Sequence, residues 1–207
     1  MLLKLSIQSM EIFFLGTFGD IGCFSFSPNK IITTGQGGII VTNNKKIYNY
    51  IKMFKNQGRS ETGTGGDDEH FIKGSNLRLT NLQAAIGLSQ LKKLKKRAKI
   101  LKYNYLYYKK KLSSELRFFK FRKEEIPLWT DVFFYKRDIL LDFLKKKKID
   151  CRKFWKPMLE QKAYSQKDKK NDFLRNLFWL PSSFQLKNKQ REYVVKTIKK
   201  FNNINEK

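Results

Sequence analysis

From Ala84 to Leu112, apolar side chains return every three or four positions, at Ala84, Leu88, Leu91, Leu94, Ala98, Leu101, Tyr105, Tyr108 and Leu112. That period places them along one side of a helix, so the spacing predicts a single long helix here. Thr80 followed by Gln83 matches a capping box and marks where that helix opens. Upstream, residues 45–57 predict a shorter helix with Ile47, Ile51 and Phe54 along one face. Residues 23–26 and 37–42 are rich in aromatic and β-branched side chains and predict strands, with Pro28 in the turn between them. Residues 58–74 form a polar, glycine-rich loop of a length that usually serves a function. Downstream, residues 116–121, 128–134 and 149–152 predict strands, and residues 138–147 and 190–201 predict helices. This alternation implies a small α+β domain from about residue 113 onward.

Composition permits a folded core: the 207 residues include 18 Phe, 9 Tyr and 3 Trp. The formal charge of +26 would suit an anionic partner such as nucleic acid. Its carriers are overwhelmingly lysines, in a chain also rich in Ile, Asn, Phe and Tyr, as AT-rich codons produce. The densest runs, residues 92–111 and 145–148, interrupt apolar residues at helical spacing and read as solvated helix faces. No zinc-finger, RNP or GXXG signature accompanies them, so nucleic acid is not the expected partner. No apolar run approaches a membrane span, and the opening segment, with Lys4, Gln8 and Glu11, makes a poor signal peptide. Cys23 and Cys151 lie far apart without metal-like spacing and read as buried, reduced thiols of a cytoplasmic protein. No metal site is expected.

Candidate chemistry concentrates in residues 16–30, Gly-Thr-Phe-Gly-Asp-Ile-Gly-Cys-Phe-Ser-Phe-Ser-Pro-Asn-Lys, followed by Gly-Gln-Gly-Gly at 35–38. Taken alone, Lys30 is one lysine on a turn between two strands, more often plain surface than catalytic. The flanking hydroxyls and glycines change that weighting. A lysine that reacts with a bound aldehyde needs a rigid turn to aim its amine and donors nearby for a phosphate.

These segments resemble the DegT/DnrJ/EryC1/StrS family of sugar aminotransferases, which carries Gly-Asp-(Ile/Ala)-Gly-Cys-Phe-Ser-Phe-x-x-x-Lys and then Gly-(Glu/Asp/Gln)-Gly-Gly. Residues 74–85 resemble the family's Gly-x-Asn-x-Arg-x-x-x-Leu-Gln-Ala-Ala block. Residues 127–131, 150–157 and 180–183 are similar to small-domain segments of its perosamine-synthase-like branch. The likeness runs in order over about residues 15–202.

The resemblance implies an α/β fold, the type I fold of pyridoxal-phosphate (PLP) transferases, truncated on its N-terminal side. Residues 15–112 would then be the end of the large, PLP-binding domain with its long connecting helix, and 113–207 the small α+β domain. It implies that Lys30 holds the cofactor covalently and then carries the proton between the reacting carbons. Ser25 would bond the cofactor phosphate, and Asn76 would reach that phosphate from the neighbouring subunit of a homodimer with shared active sites. The loop around His70 would cover the substrate entrance, and Arg152 and Trp155 would contact substrate. The plainer alternatives are a solvent-exposed loop histidine for His70, core packing for Trp155 and turn caps for Ser182 and Ser183. The reaction implied is transfer of an amino group, from glutamate, to a nucleotide-linked 4-keto-6-deoxysugar in cell-surface polysaccharide biosynthesis.

The family's N-terminal half supplies the aspartate that pairs with the pyridinium nitrogen, and nothing before Gly16 resembles it. Residues 1–14 are unmatched. Met1-Leu2-Leu3-Lys4-Leu5 can be encoded ATG CTT CTG AAG CTT. Read one base earlier after a G, this gives Asp-Ala-Ser-Glu-Ala, the family's ring-binding motif. The opening residues are therefore expected to be frame-shifted, the alternatives being an unrelated N-terminal extension or a rearrangement that joined foreign sequence to a gene fragment, and the chain is expected to be an incomplete or inactive fragment. The alternative from another class is a non-catalytic basic binding protein on an aminotransferase-derived scaffold.

Overall fold

The computed structural model describes residues 16–60, 69–122, 124–164 and 172–205. The chain divides into two compact units between Lys95 and Lys96. The division falls at the start of the lysine-rich helix, not after its last turn.

In the first unit, β1 (Gly22–Ser25) and β2 (Gly38–Val41) pair antiparallel, with Gly22 opposite Val41 and Ser25 opposite Gly38. This is the one sheet of the unit among the described residues. Helix α1 (Lys45–Phe54) is opened by Asn44, whose side-chain oxygen accepts from the amides of Lys46 and Ile47 at 2.9 and 3.2 Å. Helix α2 (Asn81–Leu91) opens on the expected capping box. Thr80 Oγ1 accepts from the Gln83 amide at 3.2 Å, and Gln83 Oε1 accepts from the Thr80 amide at 3.0 Å.

The single long helix predicted from the apolar stripe is two helices, because α2 ends at Leu91 and α3 spans Leu94–Leu112. At the break the Lys93 amide donates to Gln90 O at 3.0 Å, a bond one residue tighter than the α-helical pattern. The two halves of the stripe also differ in burial. Leu101, Tyr105, Tyr108 and Leu112 are buried, whereas Leu88 and Leu91 stand 64% and 52% exposed.

The second unit holds β3 (Arg117–Phe118), β4 (Thr130–Phe133), α4 (Arg137–Lys146), β5 (Arg152–Lys153), α5 (Asp172–Arg175), β6 (Leu177–Leu180) and α6 (Asn188–Asn205). Its strands form an antiparallel sheet in the order β3-β4-β6-β5. Strand β6 lies inside the sheet and all four of its residues are buried. The continuous Leu-Phe-Trp-Leu run is what such a strand requires, because neither face meets water. Around it, Tyr108 and Leu112 of α3, Leu140 and Leu144 of α4 and Val194 and Ile198 of α6 close one contiguous core. Each fully buried Leu or Ile contributes on the order of 1.5–3 kcal/mol. Among the described residues, Ile31 is the one buried hydrophobic residue of the first unit, and the others run from Leu101 to Phe201.

A polar clasp ties α3 to the loop that precedes α6. Buried Asn104 donates from Nδ2 to the carbonyls of Ser182 and Ser183 at 3.2 and 3.1 Å. Its Oδ1 accepts from Nη1 of buried Arg191 at 2.8 Å, and the same guanidinium donates to Leu186 O at 2.7 Å and to Asn188 Oδ1. The Ser182 hydroxyl in turn accepts from the Thr130 amide, and Ser183 Oγ from the Gln185 amide. Both serines thus hold the turn after Pro181.

Candidate functional site

Lys30 sits half-buried on the loop that joins β1 to β2. Its amide donates to Ser27 O at 3.1 Å, which closes the tight turn containing Pro28. The loop is cinched at its base by one residue. The Phe26 amide donates to Gly37 O at 2.9 Å, and the Phe26 carbonyl accepts from the Thr34 amide at 3.1 Å and from Thr33 Oγ1 at 2.9 Å. Thr33 Oγ1 then accepts from the Gly35 amide, and Thr34 Oγ1 donates to Gln36 O. Every threonine hydroxyl in the loop is therefore spent on shape. The two serine hydroxyls, Ser25 and Ser27, are hydrogen-bonded to each other, and Ser25 Oγ also accepts from the Ser27 amide at 3.2 Å.

Helix α2 lies against this loop closely enough that a Cβ on Gly87 would stand 3.0 Å from Thr34 Cγ2. The loop of residues 58–74 is pinched shut at its base. The Gln57 amide donates to Ser75 O, Ser75 to Phe54 O, Leu77 to Lys55 O and Phe71 to Gly58 O, all between 2.7 and 3.1 Å. Asn76 pairs with Asn56 across this stem and is exposed. Two glycines make the crossing possible. Gly58 has φ +88, and a Cβ there would stand 1.8 Å from Ile72 O; a Cβ on Gly74 would stand 2.2 Å from Gly58 N.

His70 is exposed, and its Nδ1 lies 2.6 Å from Gln57 O. With Arg59, Ile72 and Lys73 it lines an open depression of about 540 Å³. Much of the loop's outer part, residues 61–68, lies outside the described residues.

In the second unit, Arg152 and Trp155 are both exposed, near the sheet's outer strand β5. The Arg152 guanidinium stands 5.9 Å from the Trp179 ring centroid. Lys153 reaches Asp138 at 3.0 Å, and Asp138 is also bonded to Arg137 at 2.8 Å. These partners, Arg137 foremost, hold the Asp138 carboxyl below the usual carboxylate range.

Ser25, at the end of β1, and Lys30, on the loop that follows, thus share one hairpin, and Asn76 and His70 flank one stem, all within the first unit, while Arg152 and Trp155 belong to the second. Ser27 was not among the expected site residues, although its place two residues after Ser25 was the signal that the hydroxyls could meet. Arg59 was missed too, because nothing in the local sequence shows that the stem folds it beside His70. No group of three or more His, Cys, Asp or Glu that could hold a metal occurs among the described residues. No described helix is long and apolar enough to cross a membrane.

The residues present fit a phosphorylated aldehyde cofactor: a half-buried primary amine on a braced turn, with two hydroxyls on the same loop.

The chain is 34% identical over 197 residues to the GDP-perosamine synthase of Escherichia coli O157:H7, covering 91% of this chain and 53% of that protein. It is 33% identical over 168 residues to the Vibrio cholerae enzyme of the same name, covering 77% of this chain and 45% of that one. The chain therefore spans about half the length of the curated relatives it matches. Among solved structures, Helicobacter pylori PseC, an aminotransferase involved in the biosynthesis of pseudoaminic acid, superposes with a TM-score of 0.81. That match covers 90% of this chain and 54% of PseC at 24% identity, a likeness of fold. The sequence profile of the DegT/DnrJ/EryC1/StrS aminotransferases matches residues 14–199, and the chain belongs to that family.

Proposed function

We propose that this chain is the lysine-bearing part of a PLP-dependent aminotransferase that acts on a nucleotide-linked 4-keto-6-deoxysugar. The observation that carries the reading is the Lys30 loop, cinched by Phe26 and floored by the Ser25 and Ser27 hydroxyls. Lys30 would hold PLP covalently, and Ser25 would donate to its phosphate. Bound there, PLP supplies an electron sink for the carbon that gains or loses the amino group.

The chain's own residues do the rest. The braced loop fixes where the Lys30 Nζ can reach, so that its amine can take a proton from one reacting carbon and deliver it to another. Asn76, exposed at the stem, would donate to a neighbouring subunit's cofactor phosphate in a homodimer. His70 and the 58–74 loop would cover the substrate entrance, and Arg152 and Trp155 would contact the substrate. The GDP-perosamine synthase relatives support the substrate class, glutamate is the proposed amino donor, and the cytoplasm is the proposed site of action.

Helix α2 supports a missing cover. Its apolar residues are not confined to one face and none of its residues is buried, with Leu82 80% and Leu88 64% exposed. A helix of this kind belongs inside a larger assembly, here a further large-domain polypeptide and a second subunit.

The test joins the chain to the N-terminal half of the E. coli O157:H7 relative. PLP followed by borohydride should mark Lys30 in a peptide map, and the joined protein should aminate a nucleotide-linked 4-keto-6-deoxysugar with glutamate. A label on another lysine, or no turnover by a folded and labelled protein, refutes the proposal.

A further inference from the structure

His70 is the chain's one histidine. Its Nδ1 lies 2.6 Å from the carbonyl oxygen of Gln57, 13 residues earlier. A carbonyl oxygen only accepts, so the proton of that bond belongs to Nδ1. In the neutral ring, Nε2 then carries the lone pair. A free imidazole side chain in water favours the opposite form, with its proton on Nε2. A bond to this carbonyl selects against that form.

The carbonyl is aimed by an uncommon backbone. Gln57 has φ +64 and Gly58 has φ +88, two consecutive residues in the left-handed region. A residue with a side chain seldom enters it, and one held there points to a use for the shape it gives. Backbone bonds fix the corner. The Gln57 amide donates to Ser75 O at 3.1 Å, the Gly58 amide to Met53 O at 2.9 Å and the Arg59 amide to Asn56 O at 3.2 Å. The Phe71 amide donates to Gly58 O at 2.9 Å and so anchors the residue next to His70. Ring and carbonyl are thus both set by the stem itself, through bonds that need no surface beyond it.

The tautomer decides what the ring can recognise. Arg59 and Lys73, which line the same depression, are donors without acceptor capacity. A proton on Nε2 would add one more donor. A bare Nε2 accepts instead, and so takes a hydroxyl rather than a carbonyl or an ionised phosphate oxygen, neither of which can donate.

We propose that Gln57 is a positioning residue whose backbone carbonyl holds His70 in the Nδ1–H form, making Nε2 the acceptor for a hydroxyl of the substrate. This rests on the reading of the chain as part of a sugar-nucleotide enzyme and specifies the bonding role of His70 within it.

Because the chain has one histidine, its ring nitrogens are read in the whole protein without assignment. Two-bond proton–nitrogen correlation spectra are recorded on the nitrogen-15-labelled chain, on the alkaline plateau of the ring titration, where the imidazole is neutral. The folded chain should show a protonated Nδ1 and a bare Nε2, and the same chain in urea the reverse. Gln57→Gly, which enters the left-handed region freely, should keep the folded pattern. Gln57→Val, whose branched side chain resists positive φ, should move the tautomer ratio at least about threefold toward the form seen in urea. Circular dichroism reports folding; should Gln57→Val not fold, the parent, Gln57→Gly and the chain in urea carry the comparison. In the chain joined to a relative's N-terminal half, His70→Asn keeps a donor at the Nδ1 position and removes the Nε2 acceptor. It should raise KM for the keto-sugar about tenfold with kcat within about threefold. A protonated Nε2 in the folded chain, or one tautomer ratio shared by the folded and unfolded chain, overturns the proposal. So does a folded Gln57→Val with the parent's ratio, a loss of the pattern in Gln57→Gly, or an unchanged KM in His70→Asn. The tautomer is read without cofactor or turnover, so the enzyme reading fails separately, through the borohydride label on Lys30.

Discussion

The Phe26 amide donates to Gly37 O at 2.9 Å and so ties the two ends of the loop that presents Lys30. Because the Phe26 carbonyl also takes two donors from Thr33 and Thr34, and the Lys30 amide closes its turn on Ser27 O, the loop is braced through bonds that a substitution of the Lys30 side chain keeps. Lys30→Ala should therefore leave the fold intact while removing the reactive amine. In the chain joined to a relative's N-terminal half, turnover should vanish with an unchanged circular dichroism spectrum. Retained turnover would falsify the covalent role.

Bracing also predicts which loop variant does damage. Thr33→Val removes a hydroxyl that donates to Phe26 and accepts from Gly35. It should cost about 1–2 kcal/mol locally and slow labelling of Lys30 severalfold without moving the label to another residue. Unchanged labelling would show that the loop keeps its shape without that hydroxyl.

At the stem of the second loop, Gly58→Ala meets two penalties at once, a left-handed backbone and a carbonyl 1.8 Å from the new Cβ. The expected cost is about 2–4 kcal/mol. Hydrogen exchange at the Gln57, Ser75 and Leu77 amides, which bridge the stem, should accelerate at least about tenfold. Unchanged protection would mean that the stem tolerates a side chain.

The clasp between Asn104 and Arg191 predicts a non-additive pair. Asn104→Leu leaves a buried guanidinium short of an acceptor and should destabilise the second unit by about 2–4 kcal/mol. Adding Arg191→Leu removes the stranded charge, so the double variant should be more stable than Asn104→Leu alone. Urea unfolding of the four proteins of this cycle measures the coupling.

Cys151 predicts a pH effect. Burial, and secondarily Asp150, push its thiol from an ordinary 9.0 up to about 12, and burial likewise raises Tyr108. Above pH 9 the unfolded chain releases a proton that the folded chain still holds. The stability is present in full below pH 9 and falls as the pH rises toward 12. Urea midpoints should decline over that interval, and Cys151→Ser should flatten the decline. Cys23 is exposed on β1, against the expectation of two buried thiols, so at pH 8 it should alkylate readily and Cys151 only after denaturation.

The legible parts of the sequence were those with local causes. The capping box at Thr80 and Gln83, and the strands around the lysine turn, depend on neighbours in the chain and stand where their residues indicate. The break after Leu91 was hidden because a step of three to Leu94 suits both an unbroken helix and a tightened turn. Strand β6 escaped because its four buried residues do not alternate, and a short apolar run fits a strand or a helix equally. The strand predicted at 149–152 is shorter and shifted, Arg152–Lys153, since its extent is set by pairing with β6. The grouping of Trp129, Trp155 and Trp179 is a tertiary fact. Trp129 and Trp179, which stack, lie 50 residues apart in sequence, and the β4-β6-β5 pairing brings them together.

The uneven distribution of burial bears on how a cell makes this chain. The ribosome releases the first unit, with its exposed α2 and a single buried hydrophobic residue among those described, before the second, which holds the contiguous core. At a synthesis rate of about 5–20 residues per second, the nascent leucines of α2 wait in water for roughly 6–22 s while Lys96–Lys207 are added. The lysine-rich tracts of α3 and α4 leave the ribosome next, and like charge on neighbouring nascent chains opposes their association. By that repulsion the same lysines that first suggest a polyanion partner oppose aggregation of a chain still being made.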